Sequence, residues 1–511
     1  MSGPQPPDSP EAPSASPTPP AAADRAGEPP ARGRPGRPRG NLPDLTTLNP
    51  WRAVMIMGVP GVTRAILASA AQLINLLVVG HLGPDAIAAV GLGNRVIFVI
   101  IAVLGAITVG TTALVARSIG QHDRERCERV IHQSILLSLG IGLVLAILGV
   151  LTSGVLSKAL LVTEPSPDPL LQRDTAAYMA WSLVPMAFGV ISFSGTAIFQ
   201  AAGDLATPLW VLTGGDMLNL LLAYALVYGV GPIHSMGVAG AGLASGLGRM
   251  ASSAACMLLL LRRRDYIRWR PAGLRIDRRT IRDVLHIGLP AGGENLFRQG
   301  SFIAFGLVVA ALGSNALAAT QIAQTLQSVA FNVGFGFSSA ATALVGQNLG
   351  AGSPERAHRC AHAANYASVG VTVVVAAFLG LFPRLAAEAF TNDPTVVAMT
   401  VTCVRFMAIG LVGTSVSLVM AGALRGAGDT TWVMWMTAIG TWFVRLGGSA
   451  VIGLVLGGGL AGVWAAVASD QLVRGVAATW RFQGRKWVSI YQRQEAGRAT
   501  APGPGSAAAA L

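Results

Sequence analysis

Glu294 stands four residues after Pro290 in the stretch IGLPAGGENLFRQG (287–300). A carboxylate in apolar surroundings is costly, on the order of 2.5–3.5 kcal/mol on insertion scales, so its presence asks for a reason. It can hold a proton, attract a cation or pair with a guanidinium. Arg298 lies one turn on, at the i,i+4 spacing that puts both on one helix face, and a structural Glu294–Arg298 pair is the alternative to a binding site. Asp216 and Asn219, in GGDMLNLLL, are three residues apart, as are Gln72 and Asn75. Such pairs can line a polar pocket; Asp216 can instead pair with an arginine, and lone amides often serve as glue between helices. Glu294, Arg298, Asp216, Asn219, Gln72 and Asn75 are the candidate substrate- and ion-binding set. Asp470 and Arg474, again i,i+4, form a second group with Arg445, which reads first as a satisfied ion-pair network. The i,i+4 histidines His358 and His362, flanking Cys360 in HRCAH, have a spacing that can chelate a metal. No HExxH glutamate accompanies them, so a wet helix start is the better reading and no metal is expected. Nothing resembles a P-loop or a nucleophile with its base, which argues against an ATP-driven pump and against an enzyme.

Those residues need long helices to position them. Of the 511 residues, 52% are hydrophobic and only 12% charged, whereas soluble domains carry about 25% charge. The chain therefore reads as an all-α polytopic membrane protein. Twelve segments reach the roughly 20 apolar residues needed to cross a bilayer: 54–79, 86–110, 131–152, 177–200, 207–229, 237–261, 284–311, 316–345, 361–382, 398–424, 432–456 and 460–480. The four cysteines, Cys127, Cys256, Cys360 and Cys403, show no paired spacing, so no disulfide framework is expected.

The net charge of +13 falls between the apolar runs and on alternate sides. Arg117, Arg124, Arg126 and Arg129 follow the second span, nine arginines lie from Arg262 to Arg282, and Arg481, Arg485 and Lys486 follow the last. The opposite loops hold only Lys158, Arg173 and Arg384. Positive loops stay in the cytoplasm, which predicts cytoplasmic termini in a plasma (inner) membrane. Residues 1–50 contain 14 of the 29 prolines and are expected to be a disordered arm. Its RGRPGRPRG (32–40) is similar to a DNA minor-groove hook, but beside a span it reads as a basic arm for anionic lipid. The expected organisation is the arm (1–50), a six-helix bundle (51–261), a basic linker (262–283), a second bundle (284–480) and a cytoplasmic tail (481–511).

The halves repeat. LGPDAIAA (82–89) aligns with LGSNALAA (312–319), and ALVARSIG (113–120) with ALVGQNLG (343–350), both at an offset of 230. AAGD (201–204) aligns with GAGD (426–429), and GVAGAGLA (237–244) with GLAGVWAA (459–466). Six spans return the chain to its starting side, so the halves are parallel repeats about an axis along the membrane normal, an arrangement suited to alternating access. Arg64 occupies the repeat position of Glu294, and a contact between them across the bundles would make a gate.

This pattern resembles the multidrug and toxic compound extrusion family over residues 51–480. The carrying motifs are GHLGPDAIAAVGLG (80–93), LVARSIGQHDRER (114–126), QAAGD (200–204), IGLPAGGENLFRQG (287–300), LGSNALAATQIA (312–323), LVGQNLGAGSPERA (344–357), GALRGAGDTT (422–431) and the tract 442–475. The resemblance implies a V-shaped pair of bundles that export organic cations or xenobiotics in exchange for H⁺ or Na⁺, and it matches Glu294 to the glutamate of a GLPAxxE segment. Where many members have an acid in the first helix this chain has Asn75, and four residues after Asn219 it has Ala223. The expected function is export of cationic or amphipathic small molecules by ion-coupled antiport. A flippase for a lipid-linked sugar is the alternative, and it would need unpaired arginines such as Arg64, Arg298 or Arg445 in the cavity. No cofactor is expected beyond the coupling ion, H⁺ or Na⁺. The expected partners are a small-molecule substrate and the bilayer, with no nucleic acid, and the expected state is a monomer.

Overall fold

Alternation of apolar stretches with Gly, Pro and Asp punctuation folds the chain into helices running back and forth along one axis. The computed structural model describes residues 45–80, 82–160, 169–230, 234–262 and 276–499, together with 2, 3 and 267. The predicted arm (1–50) and the linker (262–283) therefore fall mostly outside the described residues. In chain order the first bundle holds α1 (Pro50–Gly80), α2 (Pro84–Gly120), α3 (Arg124–Leu160), α4 (Pro169–Gly189), α5 (Ile191–Ala201), α6 (Ala206–Tyr228) and α7 (Gly237–Arg262). The second holds α8 (Arg278–Ala310), α9 (Ser314–Gly350), α10 (Pro354–Leu381), the short α11 (Pro383–Glu388), α12 (Pro394–Gly426), α13 (Thr430–Ile439) and α14 (Gly459–Gln483), followed by α15 (Lys486–Ala499).

Each predicted span corresponds to one long helix or one broken helix. Among the described residues nine are long and apolar enough to cross a membrane, and the bent pair α4–α5 makes a tenth. The other two, α8 and α14, carry Glu294, Arg298, Asp470 and Arg474. The fourth span bends by 41° between Gly189 and Ile191, after Pro185 removes a backbone donor from the preceding turn. The eleventh runs from α13 into π-helical turns over Gly440–Gly447 and Ser449–Val455, a geometry usually confined to short functional bulges.

The repeat is visible in the backbone. Gly83 and Gly313, partners at the 230 offset, open α2 and α9 with φ of 111° and 103°, a region that only glycine enters freely. Asp277 and Asp393 cap α8 and α12 by accepting backbone N–H bonds from the first turn.

The closest approaches between the bundles lie toward the end of the helices where the arginine-rich loops gather, here called the basic end. A Cβ added to Gly110 would fall 2.2 Å from the Val284 carbonyl oxygen, and one on Gly288 would fall 2.2 Å from that of Ala106. One on Gly120 would sit 2.0 Å from the Gln347 oxygen, and one on Gly350 2.2 Å from the Arg117 oxygen. Backbones thus touch directly along α2–α8 and α2–α9, as small residues allow in lipid. Gln347 adds a hydrogen bond to the Ala201 carbonyl at 2.6 Å.

The segment expected as a tail (481–511) is a packed helix in part. Helix α15 lies across the basic end. Glu495 receives both terminal nitrogens of Arg126 at 2.9 Å, and Gln494 accepts from Arg117 at 2.9 Å. On the other bundle Arg498 reaches Asp283 in α8 at 2.8 Å, and Gln494 donates to the Gly428 carbonyl at 3.4 Å. Trp487 is buried and stacked on Phe482 at 4.9 Å between ring centroids.

Candidate functional site

Glu294 is almost fully buried, its side chain 4% exposed. Helix α8 turns Gly288 toward α2 and Glu294 toward α12 and α13. There the carboxylate is gripped by Arg425, near the end of α12, which donates Nη2 at 2.8 and 3.0 Å and Nε at 3.3 Å. Thr437 of α13 donates its hydroxyl at 3.5 Å. Arg298 lies farther off, 4.0 Å from Glu294, hydrogen-bonded to Asn295 and near the face of the Phe331 ring. The i,i+4 spacing therefore identified a neighbour of Glu294 but not its main partner. A bidentate guanidinium on a desolvated carboxylate is a strong, directional contact. It joins three helices of the second bundle at one point.

Asp470 forms the second cluster. It is fully buried, accepting from Arg474 at 2.7 and 2.8 Å and from Arg445 at 3.0 and 3.1 Å. Arg445 comes from the π-helical part of the eleventh span and lies over the Phe302 ring, so Asp470 ties α14 to that segment. At the basic end Asp429 accepts from Arg481 at 2.8 Å.

The first bundle contains an open cavity of about 360 Å³ lined by α1, α2, α4, α5, α6 and α7. Gln72, Asn75, Asp216 and Asn219 all line it, so the structure brings these four together. Arg64 lines it too, and its Nη2 meets Asp216 at 2.9 Å. The expected contact between Arg64 and Glu294 is not made in this structure: Arg64 meets Asp216 in its own bundle, and Glu294 meets Arg425 in the other.

His358 and His362 lie tilted against each other, with ring centroids 4.4 Å apart; His358 stacks on Phe482 and His362 meets that ring edge-on. Among the described residues no group of three or more His, Cys, Asp or Glu side chains is arranged to hold a metal. Two residues escaped the sequence reading. Arg425 sits in GALRGAGD, where the Gly-Asp turn drew attention away from the preceding arginine. Arg249 lines the first-bundle cavity from α7, hidden in a Gly-, Ala- and Ser-rich run. Its signal was available, since it is an ionisable residue inside a span.

A family model described as MatE matches residues 60–225 and 290–451, one stretch in each bundle. This chain belongs to the MatE family. As a MatE protein it is a multi-pass membrane transporter and not an enzyme, with twelve long or broken helices in two bundles among the described residues. It is 26% identical over 454 residues to the probable multidrug resistance protein NorM of Thermotoga maritima, covering 88% of this chain and 95% of the relative. The protein of the same name from Bradyrhizobium diazoefficiens is 29% identical over 444 residues, covering 84% and 92%. A MATE structure solved in complex with MaD3S superposes with a TM-score of 0.81 at 23% identity, over 88% of this chain and 98% of that one. This last likeness speaks to the fold.

Proposed function

We propose that this MatE protein is an ion-coupled antiporter that exports amphipathic small molecules, cationic drugs among them, across the plasma membrane by alternating access. The observation that carries the reading is the Glu294 clamp. Glu294 holds α12 through Arg425 and α13 through Thr437, while Gly288 on the same helix forms part of the seam with α2. A proton added to the carboxylate removes its charge and weakens the bonds that Arg425 donates. Helix α8 is then free to shift against α12, and the shift reaches the seam two turns away. We take the proton as the coupling ion because sodium needs a shell of several oxygen ligands, whereas the groups set against Glu294 are two guanidiniums and one hydroxyl.

Sidedness follows from charge. The arginine-rich loops lie at the end where the seam is tight, and positive loops face the cytoplasm. Both ends of the chain are then cytoplasmic, and this conformation is sealed on that side. A transmembrane potential supplies about 2.3 kcal/mol per charge per 100 mV, enough with an ion gradient to drive export. Arg64, Arg425, Arg445 and Arg474 are each held by a carboxylate, which supports the antiporter, whereas Arg249, in the first-bundle cavity without a salt bridge among the described residues, is the feature a lipid-linked-sugar flippase would share.

The test uses proteoliposomes of the full chain with a fluorescent organic cation, a pH gradient and then a sodium gradient. Movement under the pH gradient, lost in Glu294→Gln at equal reconstitution, is expected. Export that persists unchanged in Glu294→Gln would move the coupling site elsewhere, and movement under sodium alone would overturn the proton.

A further inference from the structure

We propose that the first-bundle cavity is a binding site for the anionic headgroup of an amphipathic organic molecule, a carboxylate, sulfonate or phosphate carried on a small apolar body. The inference rests on the reading of the chain as an exporter only for the fate of the ligand; the binding itself stands on the cavity.

The charge count comes first. Two guanidiniums, Arg64 and Arg249, line the cavity against a single carboxylate, Asp216. Asp216 is engaged by Arg64 through one nitrogen at 2.9 Å. The Nε and Nη1 of Arg64 are buried and have no hydrogen-bond partner. Arg249 feels Asp216, Arg64 and Tyr178 electrostatically but forms no salt bridge among the described residues. One positive charge is therefore left over among the groups that line the cavity, and an anion that enters it supplies the missing partner.

Geometry and size agree with the charge. Guanidiniums match the flat, two-oxygen edge of a carboxylate, sulfonate or phosphate. Tyr178 donates its hydroxyl to the Asn94 side-chain oxygen at 3.1 Å, which turns the amide nitrogen of Asn94 into a further donor at the cavity wall. The lining also includes Ile97, Phe98, Phe193 and Leu212, an apolar surface for the body of the ligand. A volume of about 360 Å³ lies at the small end of ligand pockets, about 300–1,000 Å³. It fits one headgroup with a ring or two. An organic cation meets two guanidiniums against one carboxylate here, so the net charge favours an anion even though Asp216 Oδ2 (its ion pair with Arg64 aside) and the Oδ1 atoms of Asn75 and Asn219 also lack hydrogen-bond partners.

The experiment is binding, independent of transport, to the purified full chain in nonionic detergent by isothermal titration calorimetry. The probes are naphthalene-1-sulfonate, a naphthylmethyl-trimethylammonium cation of similar shape, and inorganic phosphate. Saturable binding of the sulfonate, and none of the cation at the same concentration, is expected. Arg249→Gln lowers sulfonate affinity at least tenfold and Arg249→Lys recovers part of it. Asp216→Asn removes the carboxylate and tightens sulfonate binding severalfold, a gain that a damaged fold cannot imitate. The proposal is overturned if the cation binds as well as the sulfonate, if Arg249→Gln leaves affinity unchanged, or if Asp216→Asn weakens it in a folded protein. Inorganic phosphate binding as tightly as the sulfonate would overturn the amphipathic ligand and leave a simple ion site. Sulfonate binding in a protein that shows no coupled export would retain this site while removing the antiport reading.

Discussion

Replacing Gly288 by alanine puts a Cβ 2.2 Å from the Ala106 carbonyl oxygen and 2.8 Å from its carbon, across the seam between α8 and α2. Ordinary contact at such a position begins near 3.4 Å, so the helices must part by about 1.2 Å (3.4 − 2.2) or bend. Overpacking of this kind costs about 1–3 kcal/mol. At 1.36 kcal/mol per tenfold, the sealed state loses roughly 5-fold to 160-fold in population against any state in which the basic ends separate. Gly110→Ala, whose Cβ meets the Val284 oxygen at 2.2 Å, acts in the same direction from the other helix. Gly370→Ala in α10 meets open space and serves as the control. The assay is pulsed electron–electron double resonance between spin labels on cysteines at Arg124 and Arg359. The four natural cysteines are buried and compete little for label. A longer-distance population should grow for both seam variants and not for the control. Distance distributions identical to the parent in both seam variants would refute the claim that these backbone contacts hold the basic end closed.

Two smaller predictions test local physics. Burial works against ionisation of Asp277, yet hydrogen bonds from Thr280 and Arg279 outweigh it and hold its carboxyl below the usual value. A depressed pKa contributes stability above the unfolded value that is lost as pH falls through the folded one. Asp277→Ala should therefore cost about 1 kcal/mol of stability at pH 7, with the difference from the parent shrinking toward pH 3 in thermal melts. His122 has φ of 57°, where its repeat partner Gly352 has 69°. His122→Gly should leave the melting temperature unchanged or higher, since strain in that region is on the order of 1–2 kcal/mol for a side-chain-bearing residue; a clear fall would show that the contacts of the imidazole outweigh it.

Much of the fold was legible because it is written in long-range patterns that lipid enforces. Hydrophobic length gave the helices, arginine placement gave one end its character, and the 230-residue offset reappears as Gly83 and Gly313 opening equivalent helices. The sites were legible in type and less so in partnership. Glu294 and Asp216 stand out because charge inside a span is rare. Their main partners, Arg425 and Arg64, lie 131 and 152 positions away, and nothing in helical periodicity says which long side chain reaches which carboxylate. Helix α15 escaped for a related reason. It has few apolar residues, and contacts with residues hundreds of positions earlier, such as Arg117 and Arg126, help hold it.

That last helix also changes how the two ends of the molecule should be handled. By reaching α2 and α3 through Gln494 and Glu495 and α8 through Arg498, it lies as a bolt drawn across both doors. Turnover then has a brake whose strength is set by a few part-buried ion pairs, tunable without touching the substrate path. A fusion partner, an affinity tag or a trimmed terminus placed at residue 499 is not a neutral handle. It acts on the timing of the cycle, and transport rates from differently tagged versions should be compared only after the bolt has been accounted for.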